Sequence, residues 1–379
     1  MTQKERNGVW QVQDAQVASG RIPGYVGAVR IGAQVEIRAG GRMAVEPESA
    51  PMRDDTLFRI ASLTKPIGGT LTLSLVADGA LDLDDPIARW LPEAASPRVL
   101  VSPDAPLHAT TEVARPVTVR HLLTCTSGWG VGIAETPVRS AMLERGVHPG
   151  PLTPSMSGDE FVATVADLPL AFQPGEGWLY DTGIDLLGVL LSRAAEKPLS
   201  ELVAERITGP LGMASTTFWT SGVDRLATAY LPGPEGLDVL DPPDGLFARP
   251  PSFEKLSSGL LSSAGDVLAF FCAMADGGGP VLSAESVALM TADALTDEQR
   301  RQAAPIVGEG GSWGLGTGVD AEAVHPWMAP GRWGWTGGTG TTAHVDPVRG
   351  TVAVLLTQRA MTSPLDGFTD FWTAVAEAA

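Results

Sequence analysis

Strand-like segments lie at both ends of this chain, and the stretch between them has a helical pattern. Residues 25–31 and 35–38 are rich in β-branched residues and flank Gly32, which is typical of a hairpin. Further strand-like runs occur near the other end, at residues 313–319, 332–336, 341–345 and 351–357. The pattern predicts an α+β fold in which one antiparallel sheet, flanked by helices, is built from both chain termini and a mainly helical lobe is inserted.

The length of 379 residues fits two lobes, or one large domain with an insertion. We predict an α/β lobe from residues 1–80 and 221–379, and a mainly helical lobe from residues 81–220. Apolar residues recur at helical spacing over residues 63–77, and Gly79 follows as a helix terminator. Thr118 and Ser157 are expected to cap later helices, and residues 365–378 to form a closing helix.

The composition excludes several classes of partner and cofactor. A formal net charge of −18 repels nucleic acid and anionic membranes, so neither is expected as a partner. The polar N-terminus and the lack of an 18-residue apolar run predict a cytoplasmic protein. Cys125 and Cys272 are expected to be free thiols, and neither they nor the histidines follow a metal-binding spacing. No metal and no cofactor is therefore expected.

Ser62 and Lys65 form the strongest chemical signal. Residues three apart on a helix share a face, so a serine at a helix start can touch a lysine one turn later. A serine hydroxyl needs such a partner to become nucleophilic, and the helix N-terminus helps to stabilise an oxyanion. A lysine base must be neutral, and we expect burial in a closed cleft to lower the pKa of Lys65 toward neutrality.

The spacing alone is weak evidence, because it recurs at Ser252 and Lys255. That second copy follows two prolines, has no apolar helix behind it and carries Glu254 beside the lysine, so we interpret it as structural.

Other segments of the chain strengthen the case for Ser62 and Lys65. Together with that pair, they resemble the motifs of a known family. These segments are Phe58-Arg59-Ile60-Ala61-Ser62-Leu63-Thr64-Lys65, His121-Leu122-Leu123 with Thr126-Ser127-Gly128, Pro174-Gly175 through Tyr180 to Leu187-Gly188, Ser258 to Asp266, Trp313-Gly314, and Trp335-Thr336-Gly337-Gly338. In this order they resemble the serine β-lactamase-like superfamily, which holds class C β-lactamases, D-alanyl-D-alanine peptidases and the related family VIII carboxylesterases.

The resemblance implies an active site in the cleft between the two lobes. It implies Ser62 as nucleophile, with Lys65 and Tyr180 sharing the proton transfers. It also implies an oxyanion hole formed by the N–H groups of Ser62 and Gly338. The alternative for Tyr180 is a tyrosine that only packs a core or a loop.

Two departures from the family pattern bear on the substrate. The usual Tyr-x-Asn is here Tyr180-Asp181-Thr182, and the usual Lys-Thr-Gly or His-Thr-Gly is Trp335-Thr336-Gly337. Tryptophan offers a bulky wall and one N–H donor in place of a cation. The alternative for Trp335 is ordinary packing, and Arg332 or Arg349 could replace the missing cation.

The expected substrate has no carboxylate beside the scissile bond. We expect it to be bound by Asp181, Thr182, Trp335, Thr336, Gly337 and Trp129. Trp178, Trp313, Trp327 and Trp333 lie in segments expected around the cleft, whereas His344 is expected to be structural.

The sequence therefore predicts acyl transfer through an acyl-enzyme. The expected substrate is a small ester, or an amide, with a possible second acyl acceptor. The alternatives are a β-lactamase, D-aminopeptidase or amide hydrolase, and a binding or sensor protein that is acylated without turnover. The oligomeric state is left open.

Overall fold

The computed structural model describes residues 3–152, 154–364 and 366–379, with side chains described from Gly8 onward in the first range. Its strands are β1 (Gly24–Ile31), β2 (Gln34–Gly41), β3 (Phe58–Arg59), β4 (Arg98–Leu100), β5 (Thr110–Glu112), β6 (Ala229–Gly233), β7 (Gly236–Asp241), β8 (Leu261–Ser262), β9 (Gly311–Trp313), β10 (Gly318–Asp320), β11 (Trp333–Gly337), β12 (Thr341–Asp346) and β13 (Thr351–Thr357).

The helices follow the same chain order. They are α1 (Gln3–Ala18), α2 (Thr64–Ala77), α3 (Val119–Leu123), α4 (Pro137–Glu144), α5 (Gly158–Ala166), α6 (Thr182–Ala195), α7 (Leu199–Val203), α8 (Gly209–Leu211), α9 (Ala264–Ala275), α10 (Ala284–Thr291), α11 (Asp297–Val307) and α12 (Thr369–Ala378). Among the described residues, none of these helices combines the length and the apolar character needed to cross a membrane.

Both ends of the chain contribute to the main sheet, as the sequence predicts. Within the described residues it has seven antiparallel strands in the order β2-β1-β13-β12-β11-β10-β9. The N-terminal strand β1 pairs with the C-terminal strand β13, with Tyr25 opposite Thr357. Alternate side chains enter two separate cores. Val26 and Val354 pack into the large core that also holds α2 and α9 residues, whereas Tyr25 and Leu355 pack with Trp10 and Phe371 of α1 and α12.

Ser62 lies at the start of the central helix α2. Residues Ala61–Leu63 form one 3₁₀ turn that leads directly into α2, which is buried over most of its length. A helix that is apolar on all sides is stable only inside a core. The same large core includes buried residues from positions 81–220, so it runs through both predicted lobes. The lobe boundaries at residues 80/81 and 220/221 stay a prediction.

The predicted single strand at 313–319 is wrong. The chain forms two short strands, β9 and β10, joined by a turn at residues 314–317. This turn lies against α2, where a Cβ on Gly69 would come within 2.3 Å of the Leu315 carbonyl oxygen. Gly316 has a φ of +82°, which favours glycine. Close backbone packing on α2 therefore interrupts the strand that its apolar residues suggest.

Other differences concern helix ends and short helices. Thr118 and Ser157 form the capping boxes of α3 and α5, as expected. The closing helix begins at Thr369, and position 365 of the predicted helix lies outside the described residues. The sequence analysis missed α1, α10 and α11.

Two helix-interior glycines test the packing of α2 against the β9–β10 turn. We expect Gly69→Ala to lower the free energy of unfolding by about 1–3 kcal/mol, because the added methyl group has no space beside Leu315. Gly8→Ala in α1 is the matched control: a Cβ there meets nothing within 4 Å, and helix propensity predicts a gain of up to about 1 kcal/mol. Urea unfolding of both variants measures the difference, and equal effects would contradict the packing argument.

Candidate active site

The ammonium group of Lys65 is completely buried and contacts three acceptors. It forms an ion pair with the Asp181 carboxylate, donates to the Ser62 hydroxyl oxygen at 3.0 Å, and donates to the Ser257 carbonyl at 2.8 Å. A lysine carries three N–H donors, so each donor has a partner in this arrangement. The predicted pair Ser62–Lys65 is thus in hydrogen-bond contact across one helical turn.

The pKa of Lys65 differs from what burial alone predicts. Burial lowers the pKa of Lys65, but the Asp181 carboxylate and the Tyr180 oxygen outweigh it and hold the pKa above its ordinary value. The sequence argument expected a lowered pKa and a neutral amine. That expectation is wrong because it did not place Asp181 against Lys65, where the carboxylate favours the charged form of the lysine.

Tyr180 joins the pair from the other side. The indole N–H of Trp335 donates to the Tyr180 phenol oxygen at 2.5 Å, and Tyr180 lines the same small cavity as Ser62. The Lys65 ammonium lies 4.4 Å from the centroid of the Tyr180 ring. The pKa of Tyr180 is raised, because burial and the Asp181 charge outweigh the lowering effects of Lys65, Ser62 and Trp335. The structure therefore brings Ser62, Lys65, Tyr180 and Trp335 together.

Aromatic side chains support Tyr180 from behind. Trp178 stacks on its ring at 5.8 Å between centroids, and Trp313 meets it edge-on at 5.8 Å. Trp313 also meets Trp335 edge-on at 4.6 Å. These contacts leave Tyr180 and Trp335 little freedom to rotate, so the hydrogen bond between them is held by packing on both sides.

Strained backbone is concentrated at this site. Four residues other than glycine have a positive φ in the described chain: Ala61 (+44°), Cys125 (+59°), Asp181 (+82°) and Glu196 (+54°). Glu196 ends α6, where such a conformation is common. Ala61 precedes Ser62, and Asp181 follows Tyr180. Cys125 interacts electrostatically with Lys65. Strain of this kind persists where the surrounding structure requires it, which is frequent at functional sites.

Strand β11 lies directly against the Ser62 segment. A Cβ on Gly337 would be 2.3 Å from the Ile60 carbonyl oxygen, so only glycine permits this approach. The Thr341 hydroxyl donates to that same Ile60 carbonyl at 3.0 Å. Gly338 is exposed, and a Cβ there would meet nothing within 4 Å. Gly338 and Ser62 line one small cavity together, and their role as an oxyanion hole stays a prediction.

A larger cavity of about 380 Å³ opens from Ser62 along β11. Its wall near the serine includes Tyr180, Trp335 and Thr336, and its far part includes Arg332 and Trp372. Arg332 stacks on Trp372 and pairs with Asp320 at 3.2 Å. Of the tryptophans singled out from the sequence, Trp327 lines this cavity, whereas Trp333 packs against Phe271 in the core.

Of the other predicted substrate-binding residues, Trp129 and Thr182 lie outside both cavities at Ser62, whereas Asp181 lines the small one. Trp129 is buried and donates to the Leu168 carbonyl at 3.0 Å, outside the cavity wall. Thr182 is buried, and it lines a separate cavity with Asp185 and Lys255. Asp181 faces Lys65, as described above. Asp181 therefore forms an ion pair with Lys65, and Trp129 is part of the packed core.

Neither arginine considered as a replacement cation is free. Arg332 pairs with Asp320, and Arg349 pairs with Asp346 at 2.6 Å. Each positive charge therefore has its own carboxylate.

The sequence analysis missed two residues of the site. Trp372 comes from the closing helix, where its spacing indicated only a buried helix face. Ser257 contributes a backbone carbonyl, for which a side-chain pattern gives no signal. His344, expected to be structural, borders the cavity and meets the Trp372 ring edge-on at 4.7 Å.

Comparisons with known proteins agree with this geometry. A family model described as Beta-lactamase matches residues 10–376. Protein Rv1367c of Mycobacterium tuberculosis (strain ATCC 25618 / H37Rv) is 40% identical over 325 residues, which cover 81% of this chain and 79% of that protein. Esterase EstB of Burkholderia gladioli is 33% identical over 380 residues, which cover 93% of this chain and 91% of that protein.

Solved structures extend the comparison to the fold. The structure titled "EstCE1, a hydrolase with promiscuous acyltransferase activity" has a TM-score of 0.85 and 25% identity, and covers 100% of this chain and 99% of that chain. The fold is thus the β-lactamase/transpeptidase-like α+β fold. Because the family model spans nearly the whole chain, the chain belongs to the beta-lactamase family.

The buried ion pair of Lys65 can be tested by stability. We expect Asp181→Asn to lower the free energy of unfolding at pH 7 by about 3–5 kcal/mol, because it leaves the buried ammonium without its counter-charge. The control is Asp78→Asn, which removes an exposed carboxylate paired with Arg206 and should change stability by about 1 kcal/mol or less. Urea unfolding compares the two, and a small effect of Asp181→Asn would show that Lys65 is not charged.

Proposed function

We propose that this chain is a serine acyl-transfer enzyme that acts on small carboxylic esters through an acyl-enzyme at Ser62. The observation that supports the proposal is the hydrogen bond from Lys65 to Ser62, with the Tyr180 ring 4.4 Å from the Lys65 ammonium and the Trp335 N–H on the phenol oxygen. A nucleophile, a group that can accept its proton and a fixed orienting cation are the parts that acyl transfer requires.

The directions of the hydrogen bonds assign the proton steps. Lys65 donates to the Ser62 oxygen at 3.0 Å, which leaves the hydroxyl proton of Ser62 available for transfer to Tyr180. In the active form the Ser62–Lys65–Tyr180 group has lost one proton, and Tyr180 accepts the serine proton as the Ser62 oxygen bonds to the acyl carbon. Tyr180 then gives that proton to the leaving alcohol, and the charged Lys65 stabilises the phenolate throughout. The N–H groups of Ser62 and Gly338 would hold the oxyanion.

The charge distribution favours substrates without a carboxylate beside the scissile bond. Trp335 stands where a cation would meet such a group, and Arg332 and Arg349 already have carboxylate partners. A buried carboxylate would therefore lose its hydration without gaining an ion pair. The names of the relatives support this choice, because EstB is an esterase and EstCE1 is a hydrolase with acyltransferase activity.

Water is one acyl acceptor, and a second nucleophile is another. The cavity continues beyond Tyr180 and Trp335 toward Trp372, which leaves room for both the acyl group and an acceptor. Adding an amine or an alcohol to an ester assay separates the two outcomes: a new amide or ester shows transfer, and free acid alone shows hydrolysis.

Ser62→Ala tests the central assignment. We expect it to lower turnover of p-nitrophenyl esters by at least about 10³-fold, because no acyl-enzyme can form. A fluorophosphonate should add once to the wild-type protein, on Ser62, as read by mass spectrometry. The matched control is Ser252→Ala in the second Ser-x-x-Lys copy, where the serine is exposed in an irregular segment and activity should be unchanged. Full activity of Ser62→Ala would refute the proposal, and a Ser62 adduct without turnover of any ester or amide would favour a binding or sensor protein.

Trp335→Lys tests the substrate class. We expect turnover of neutral esters to fall at least about tenfold, because the N–H on Tyr180 is lost, and turnover of the carboxylate-bearing lactam nitrocefin to rise. Trp335→Phe is the control, since it removes the N–H donor and adds no charge. It should lose ester turnover without gaining nitrocefin turnover. If wild-type protein prefers nitrocefin to esters, the β-lactamase alternative holds.

A further inference from the structure

The second Ser-x-x-Lys copy supplies a buried charge to the first. Ser252 is exposed, so this copy does not repeat the arrangement at Ser62. Lys255, in contrast, is only 3% exposed, and its ammonium lies 3.6 Å from the Asp185 carboxylate. A lysine is rarely buried to this degree without a specific partner.

A short chain of contacts connects Lys255 to Lys65. The Asp185 carboxylate accepts hydrogen bonds from the Ser257 N–H and the Ser257 hydroxyl, both at 2.9 Å. The Ser257 carbonyl accepts from Lys65 at 2.8 Å. Ser257 is therefore held by Asp185 on one side and holds Lys65 on the other. Each carboxylate oxygen of Asp185 therefore accepts a hydrogen bond from Ser257.

The buried charges balance. Two ammonium groups, Lys65 and Lys255, share the interior with the carboxylates of Asp181 and Asp185, and each of these four residues is at most 4% exposed. The pKa of Asp185 is raised, because burial and the Asp181 charge outweigh the lowering effect of Lys255. The pKa of Asp181 is lowered because Lys65 and Lys255 together outweigh its burial. Lys255 thus acts on both carboxylates, including the one paired with Lys65.

The groups that face Lys65 come from several elements. The turn before α6 supplies Tyr180 and Asp181, α6 supplies Asp185, the segment before β8 supplies Lys255, and the turn after α3 supplies Cys125. Burial raises the pKa of the Cys125 thiol to about 12, so it stays neutral over the range of an activity assay. The balance near Lys65 therefore depends on the two carboxylates and on Lys255.

Lys255 also contacts the wall of the cleft. Its ammonium donates to the Gly150 carbonyl at 2.8 Å, and the Ser258 hydroxyl donates to the same oxygen at 3.3 Å. Gly150 lines the small cavity that contains Ser62 and Gly338. One lysine thus connects the loop beside the nucleophile to the charges beneath it.

We propose that Lys255 is a positioning residue whose charge balances Asp185 and thereby sets the pH at which the Ser62–Lys65–Tyr180 group loses the proton that activates Ser62. The inference rests on the proposed function of that group. Removing a nearby positive charge stabilises the protonated form, so the activating proton is lost at higher pH. Removing a nearby negative charge has the opposite effect.

The test is the pH dependence of kcat/KM with a p-nitrophenyl ester between pH 5 and 10. We expect Lys255→Met to move the acid limb up by about one pH unit and Asp185→Asn to move it down by a similar amount, as one unit charge inside a protein can do. The double variant K255M/D185N, which restores the balance, should return the limb close to that of the wild type. Lys255→Arg, which keeps the positive charge, should leave the acid limb at the wild-type pH. The control is Lys197→Met, which removes an exposed ammonium paired with Glu205 and should leave the profile unchanged.

Several outcomes would overturn the inference. A merely structural role would lower activity at every pH without moving the limb, or would move it in the same direction in both single variants. If Lys255→Met does not fold, Asp185→Asn and Lys255→Arg still carry the test, because a downward shift in the first and none in the second are required.

The rate of fluorophosphonate labelling of Ser62 against pH gives a second readout that needs no ester turnover. Ester turnover that survives Ser62→Ala would refute the proposed function, whereas an unmoved labelling profile in Lys255→Met would refute only the role of Lys255.

Discussion

The buried ammonium group of Lys65 is the constraint on which the arrangement around Ser62 depends. Removing an ammonium from water costs several kcal/mol, and a protein offsets this only with a counter-charge and hydrogen bonds for each N–H. Here Asp181, Ser257 and Ser62 fill these places. Ser62 is therefore part of the set that makes burial possible. Moving any member would leave an N–H of a buried cation without an acceptor, so the site is rigid for an electrostatic reason.

This requirement also explains the strained backbone. Tyr180 and Asp181 are consecutive, and consecutive side chains in an extended segment point in opposite directions. Both must nevertheless face the Ser62–Lys65 pair, one with its phenol oxygen and the other with its carboxylate. A φ of +82° at Asp181 turns the chain so that this is possible before α6 begins. The strain is compensated by the ion pair and is local to the residues that need it.

Part of this site follows from sequence and part does not. Spacing on one helical turn predicts the Ser62–Lys65 contact, and alternating strand patterns at both termini predict the mixed origin of the sheet. No spacing rule of this kind predicts contacts between residues that are distant in sequence. The Trp335 N–H on Tyr180 and the Asp181 carboxylate on Lys65 depend on how β11, α2 and the turn before α6 pack together. For this reason the sequence placed Asp181 among substrate-binding residues and expected the wrong direction for the pKa of Lys65.

Contacts between distant residues also explain two other wrong predictions. These are the single strand at residues 313–319 and the position of Trp129 in the substrate pocket. Apolar residues indicate that a segment is buried, but they do not say whether it is buried in the core or beside a cavity. Trp129 and Trp333 satisfy the core, while Trp327 and Trp372 reach the cavity wall, although all four are tryptophans. The turn at residues 314–317 likewise depends on the close approach of Gly69, which belongs to another element.

Charge balance links the two departures from the family pattern. Trp335 removes a cation from the strand, and Asp181 places an anion beside Lys65. Lys255 supplies a positive charge that offsets both changes. This charge lies in the interior beside Asp185 and not in the cleft, so it is not available to a substrate. The cleft beside Ser62 thus offers no unpaired cation among Lys65, Arg332 and Arg349. Neutral acyl groups lose little on entering such a cleft, whereas an anionic one loses its hydration and gains no ion pair. The proposed preference for neutral esters therefore rests on the electrostatics of the site before the shape of the pocket is considered.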